Sequence, residues 1–220
     1  NIKIIKKIYP NAKIILDACH SIGKKILKKD LSFLADIVIH SFYATKIITS
    51  GHGGLIWSKN KKYISLCKNY INFDQRKNYI KRFNFLMSDI QAVILYQQLK
   101  YINKFRTFRK NIFCKYQKSL PEDIEIFSHY NLGKDIVYRS ILIFKKNSIR
   151  NKFIKYMKKN RIECTIPIEK FELLHNYLKL NKKAFTNAEK VSSTTVSLPM
   201  HHNLSKKDIN IICNSIKSFK

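Results

Sequence analysis

The chain has 220 residues, 45% of them hydrophobic and 12% aromatic, enough for one good-sized core or two small ones and too apolar for a disordered chain. Forty-three basic residues against 14 acidic ones leave a net charge of +29, which points first to a polyanion as partner. Lysine supplies 36 of the basic residues and arginine seven, scattered as pairs such as Lys6-Lys7, Lys61-Lys62 and Lys182-Lys183. Ile (34), Lys (36) and Asn (19) share A/T-rich codons, whereas the scarce Ala (seven) and Gly (five) have G/C-rich ones. Genome drift therefore explains the charge better than a nucleic-acid surface, which would cluster and favour arginine.

The five cysteines, at 19, 67, 114, 164 and 213, form no C-x-x-C and are odd in number. This argues against a zinc site and a disulfide scaffold, and it fits a reducing cytoplasm. Apolar runs are short, so neither a transmembrane span nor a signal-peptide core is expected. The chain begins with Asn, and its first residues read as the end of a helix running into a strand. It is expected to be a fragment whose N-terminal part is absent.

In chain order, residues 12–17 (AKIILD) and 35–41 (ADIVIHS) predict two short buried strands, and 54–58 (GLIWS) a third. Three of the five glycines fall between 51 and 54. In a chain this poor in glycine, they imply either a backbone need or an ordinary hairpin turn. Residues 59–71 predict a helix. Ser88 and Gln91 form a capping box opening another, with Ile90, Val93, Ile94, Gln97/Gln98, Leu99 and Ile102 at helical spacing, running on toward Leu120-Pro121. Beyond Pro121 the pattern predicts strands at 124–127 and 136–144, a helix at 148–160 and a strand at 161–166. A last helix is capped by Ser205 with Asp208, and its inner face carries Ile209, Ile212, Cys213 and Ile216. Buried strands linked by helices, then a compact α+β unit, predict two domains, 1–118 and 119–220.

In an open α/β sheet ligands bind beyond the carboxyl ends of strands. Asp17 ends the first strand, Ser41 ends the second, Lys46 follows on the next loop, and the glycine cluster comes directly after. Taken singly, Asp17 could be a helix cap, Ser41 a turn residue, and Lys46 is one of 36 lysines. Together they are what pyridoxal phosphate requires: an amine for a Schiff base, an acid for the pyridine nitrogen, and a hydroxyl for the phosphate.

These residues carry a resemblance. Ile15-Leu-Asp-Ala-Cys-His20-Ser-Ile-Gly23, then Ser41-Phe-Tyr-Ala-Thr-Lys46 and Gly51-His-Gly-Gly54, resemble the E-D-A-A-[QH]-x-x-G, S-F-x-x-x-K and G-x-G-G segments of the DegT/DnrJ/EryC1/StrS aminotransferases. Arg82-Phe-Asn-Phe-Leu-Met-Ser-Asp-Ile-Gln-Ala92 is similar to the family's G-x-N-x-R-x-[ST]-D-x-Q-A, and Val196 to Ser205 to its S-L-P-x-x-P-x-L-[ST]. The resemblance covers nearly the whole chain and corresponds to the second half of a family member. It implies a fold-type I, pyridoxal-phosphate-dependent transferase: part of the large domain, with a mixed, mostly parallel sheet, plus the small α+β domain.

Carried over by residue, the resemblance implies that Asp17 partners the pyridine nitrogen, His20 contacts the cofactor's ring oxygen, Ser41 binds its phosphate and Lys46 forms the Schiff base. Asn84 would reach the phosphate bound in a neighbouring subunit, implying a homodimer, and His175 would stand at the substrate entrance. The implied reaction moves an amino group from glutamate to a keto sugar linked to a nucleotide, for polysaccharide or amino-sugar synthesis. Two alternatives stand beside it. One is a sugar dehydratase, in which histidine replaces the Schiff-base lysine; Lys46 speaks against it. The other is a non-catalytic basic protein that binds nucleic acid. Leu16, His52, Arg82 and Leu86 depart from the family pattern. His40, His129, His201 and His202 lack ligand spacing and read as structural or surface residues.

Overall fold

The computed structural model describes residues 2–22, 25–26, 29–30, 35–128, 132 and 135–219; His129 and Gly23 lie outside them. The chain divides into two units, Asn1–Arg106 with Asn131–Tyr138, and Thr107–Tyr130 with Arg139–Lys220. Among the described residues, no helix is long and apolar enough to cross a membrane.

The first unit opens with α1 (Ile2–Ile8), whose Lys6 Nζ meets Asp36 Oδ2 at 2.7 Å. The same oxygen accepts the Ile14 N–H at 2.8 Å. A carboxylate thus stands where a ladder carbonyl would, and β1 is confined to Ile15–Asp17 rather than the predicted 12–17. A two-residue antiparallel pair follows, β2 (Lys25–Ile26) with β3 (Lys29–Asp30). β4 (Ile37–Ser41) runs parallel to β1, with Asp17 opposite Ile39, and antiparallel to β5 (Gly54–Trp57), with Ser41 opposite Gly54. The sheet order β1-β4-β5 is therefore mixed. Ala18 and Val38 form one buried cluster, flanked by Leu16, Ala35 and Trp57.

α2 (Lys61–Ile71) is capped by Asn60, whose side chain accepts the Lys62 N–H at 2.9 Å. α3 (Asp89–Leu99) opens with the expected capping box of Ser88 and Gln91. The predicted continuous helix is interrupted: the Tyr101 N–H turns back to Gln98 O at 3.0 Å, and α4 (Ile102–Gln117) starts afresh. The apolar spacing of α3 does not mark an inner face. Only Leu95 is buried, packing with Phe42 and Ile48, while Ile90 is 75% and Val93 59% exposed.

In the second unit β6 (Glu125–Ile126), β7 (Ser140–Ile143) and β8 (Thr195–Leu198) make an antiparallel sheet in that order. α5 (Asn147–Lys159), the short α6 (Leu174–Tyr177), α7 (Thr186–Thr194) and α8 (Lys206–Lys217) complete it. α8 carries the expected Ser205–Asp208 capping box and buries Ile209, Ile212 and Ile216; Cys213 is half-buried. Phe144, Phe153 and Phe219 pack in a row through the core, the first pair tilted and the second edge to face, with successive ring centroids 5.1 and 5.0 Å apart. Each such ring removes apolar area from water worth about 1.5–3 kcal/mol. The strand expected at 161–166 shrinks to one bridge, Thr165 to Ser197, and its expected first residue, Arg161, takes a left-handed φ of 59° that a strand cannot contain.

Candidate active site

The parallel pairing of β1 with β4 brings Asp17 and Ser41 to the same end of the sheet. Asp17 is exposed, and its Oδ1 accepts the Cys19 N–H at 2.9 Å. Its carboxyl is held below the usual aspartate range, first by a hydrogen bond from the Cys19 thiol and then by that N–H; the fields of His20 and Lys46 add to these. Burial, joined by the bond to Asp17, pushes the Cys19 thiol up to about 11, so it stays protonated and unreactive. His40 Nδ1 lies 3.1 Å from Ala18 O and ties β4 to the residue after Asp17.

Ser41 Oγ accepts the Tyr43 N–H at 3.3 Å at the start of the loop carrying Lys46. That loop is anchored by Ile47 and Ile48, both buried, and by the Lys46 N–H on Tyr43 O at 2.9 Å. It closes where Phe42 accepts the Ser50 N–H at 3.0 Å and donates to Gly53 O at 2.9 Å. The glycine cluster answers a backbone need within this β4–β5 hairpin. Gly51 has φ 80° and Gly53 φ 136°, both outside the range L side chains favour, and a Cβ on Gly54 would stand 3.0 Å from His40 O.

Two residues at this site escaped the sequence reading. Gln98 on α3 turns its amide onto Thr49 and holds the lysine loop from behind. Tyr138 stacks on His20, with Lys46 Nζ over its ring. Neither carries a motif; Gln98, a polar residue within the helical spacing of α3, was the one available signal.

Asn84 is exposed on the stretch leading to α3 and lines a cavity of about 710 Å³ together with His52, Gly53, Gly54 and Met87. Arg82, where the family pattern has glycine, pins that stretch: Nε donates to Asn69 O at 2.9 Å and Nη1 to Asn78 O at 2.9 Å. His175 belongs to the second unit. It is 4% exposed, its Nε2 lies 2.9 Å from Glu189 Oε1, and its ring stacks on Phe185. The bond to His175 holds the Glu189 carboxyl below the ordinary glutamate range.

The first unit therefore gathers a carboxylate, an imidazole, a hydroxyl and a primary amine at one sheet end. The fold around them is shared with solved aminotransferases. An aminotransferase TlmJ from Streptoalloteichus hindustanus superposes with a TM-score of 0.85 at 16% identity, over 99% of this chain and 60% of that one. A sugar aminotransferase, described as putative, Spr1654 from Streptococcus pneumoniae, gives 0.83 at 19% over 97% and 58%. In sequence, the chain is 26% identical to a dTDP-4-amino-4,6-dideoxy-D-glucose transaminase of Shigella dysenteriae, covering 96% of this chain and 60% of that protein. It is 23% identical to a GDP-perosamine synthase of Escherichia coli O157:H7, over 95% and 58%. The chain thus spans about three-fifths of the length of the curated relatives it matches. The profile of one family matches residues 2–217, taking in both units and every residue of the sheet-end cluster, and the chain belongs to that family, the DegT/DnrJ/EryC1/StrS aminotransferases.

Proposed function

We propose that the chain is the portion of a pyridoxal-phosphate-dependent aminotransferase that holds the cofactor and moves the substrate proton. The amino group passes from glutamate to a keto group on a nucleotide-linked sugar, for polysaccharide or amino-sugar synthesis. The observation that carries this reading is geometric: the parallel register of β1 and β4 sets Asp17 and Ser41 at one end of the sheet, and the loop that leaves Ser41 carries Lys46.

The donor set fits the cofactor. An aspartate held below its ordinary range is charged at neutral pH and suits a protonated pyridine nitrogen. Ser41 Oγ has a proton to give to a phosphate oxygen, and His20 one for the ring oxygen. When bound, pyridoxal phosphate supplies an electron-withdrawing ring that takes up the pair left by a broken Cα–H bond. Lys46 is the amine that would hold the cofactor covalently, and its Nζ would take the proton from the substrate Cα. Asn84 is assigned to the phosphate of a second subunit, making the working unit a homodimer, and five free cysteines suit a reducing cytoplasm.

Incubation with pyridoxal phosphate followed by borohydride is expected to fix the cofactor on Lys46 among 36 lysines. Lys46→Ala should lose this selective label. Peptide mapping that finds it on another lysine, or on none, overturns the assignment.

A further inference from the structure

We infer that Tyr138 is a positioning residue of this site, bracing His20 and the Lys46 loop so that the lysine amine stands in one place. The inference rests on the cofactor reading above and extends it to a residue outside the cluster of strand-end groups.

Three contacts from one side chain carry it. The Tyr138 ring lies 3.8 Å from the His20 ring, with planes 13° apart. Lys46 Nζ stands 5.6 Å from the Tyr138 centroid, within the range of cation–π attraction. The Tyr138 hydroxyl reaches Thr45 O, the carbonyl just before Lys46, at 3.4 Å. One ring therefore touches an imidazole that follows β1 and an amine that follows β4.

The need for such a brace is physical. His20 is exposed beyond the end of β1, and Lys46 hangs on a four-carbon stem with large rotamer freedom. Backbone bonds fix the loop at Tyr43 and Phe42 but leave that stem undirected. A flat aromatic face restricts both groups at once: imidazole against one part of the ring system, ammonium over it. The chain also makes a detour to supply it. After residues 107–130 have built part of the second unit, 131–138 return to the first, and Tyr138 is the last residue before the chain leaves again.

The test compares wild type, Tyr138→Phe and Tyr138→Leu in the 220-residue chain. In proton spectra, the His20 ring signals should lie upfield in wild type and Tyr138→Phe, under the ring current, and move downfield in Tyr138→Leu. After pyridoxal phosphate and borohydride, wild type and the Phe variant should carry label selectively on Lys46, whereas the Leu variant should spread it over other lysines. Melting curves and helical content identify a Leu variant that has unfolded, and the Phe variant then decides. Loss of Lys46 selectivity in Tyr138→Phe overturns the bracing role, as does full selectivity in a folded Tyr138→Leu. Upfield His20 signals with label away from Lys46 in wild type would instead overturn the cofactor reading.

Discussion

Gln98 grips Thr49 with both ends of its amide: Nε2 donates to Thr49 O at 2.7 Å, and Oε1 accepts the Thr49 N–H at 3.0 Å. The pair joins a helix to the lysine loop across 49 residues of chain. Gln98→Ala leaves two part-buried backbone groups without these partners, a loss of about 2 kcal/mol, or roughly 4–8 °C in Tm for a chain of this size. Cofactor labelling at Lys46 should weaken alongside. An unchanged Tm would show that the loop is held by Ile47 and Ile48 alone.

Gly53 is expected to tolerate substitution less well than Gly51. A Cβ at Gly53 would meet the Met87 methyl, the end of a flexible side chain that can turn aside at small cost. The penalty comes mainly from the Gly53 φ of 136°, which strains any L residue. Gly51, at φ 80°, has nothing within 4 Å of that position. Gly51→Ala should cost about 1 kcal/mol from backbone strain and Gly53→Ala about 2–3 kcal/mol. Adding Met87→Ala to Gly53→Ala should recover only the steric part. Equal losses by thermal denaturation would show that the two backbone conformations cost an alanine the same.

Acid should destabilise both units. Asp17 and Asp36 in the first, and Glu189 and Asp208 in the second, are held below their ordinary values, mainly by hydrogen bonds that only the folded chain supplies. Between the folded and unfolded values the unfolded chain binds more protons, so stability falls as pH falls. The contribution is complete above the ordinary values of 3.8 and 4.5 and is lost below them. Tm against pH should therefore drop below about 4.5, more gently in Asp36→Asn. A profile unchanged by that substitution would take Asp36 out of the explanation.

Arg150 on α5 is 5% exposed, and neither its Nε nor its Nη1 meets an acceptor. Burial lowers its pKa, opposed by the field of Glu169. Arg150→Met keeps much of the length and removes the unpaired donors, so the variant should be more stable by about 1–2 kcal/mol. A comparable fall in denaturation midpoint would mean that attraction to Glu169 outweighs the buried donors.

Local signals were the legible ones. Continuous apolar runs stopped by Asp17 and Ser41 mark strand ends, and Ser88–Gln91 and Ser205–Asp208 mark helix starts, because each is decided within a few residues. What stayed hidden depends on distant chain. Gln98 looks like one more polar residue until Thr49 is beside it, and Tyr138 lies beyond a pattern change that suggested another domain. Ile90 and Val93 have core spacing yet face outward; spacing reports that residues share a side of a helix, and not what that side meets. Arg161 gave no warning of its left-handed φ, since a non-glycine residue adopts it only where its surroundings impose it.

The return of residues 131–138 to the first unit bears on how this protein can be recombined. Grafting everything after residue 106 from a relative would import a foreign side chain at position 138 and set it against the native His20. The second unit is thus not an interchangeable module. A chimera that keeps the native character of the lysine site would need the host's own eight-residue stitch sewn into the donor segment, with two junctions more than a simple exchange.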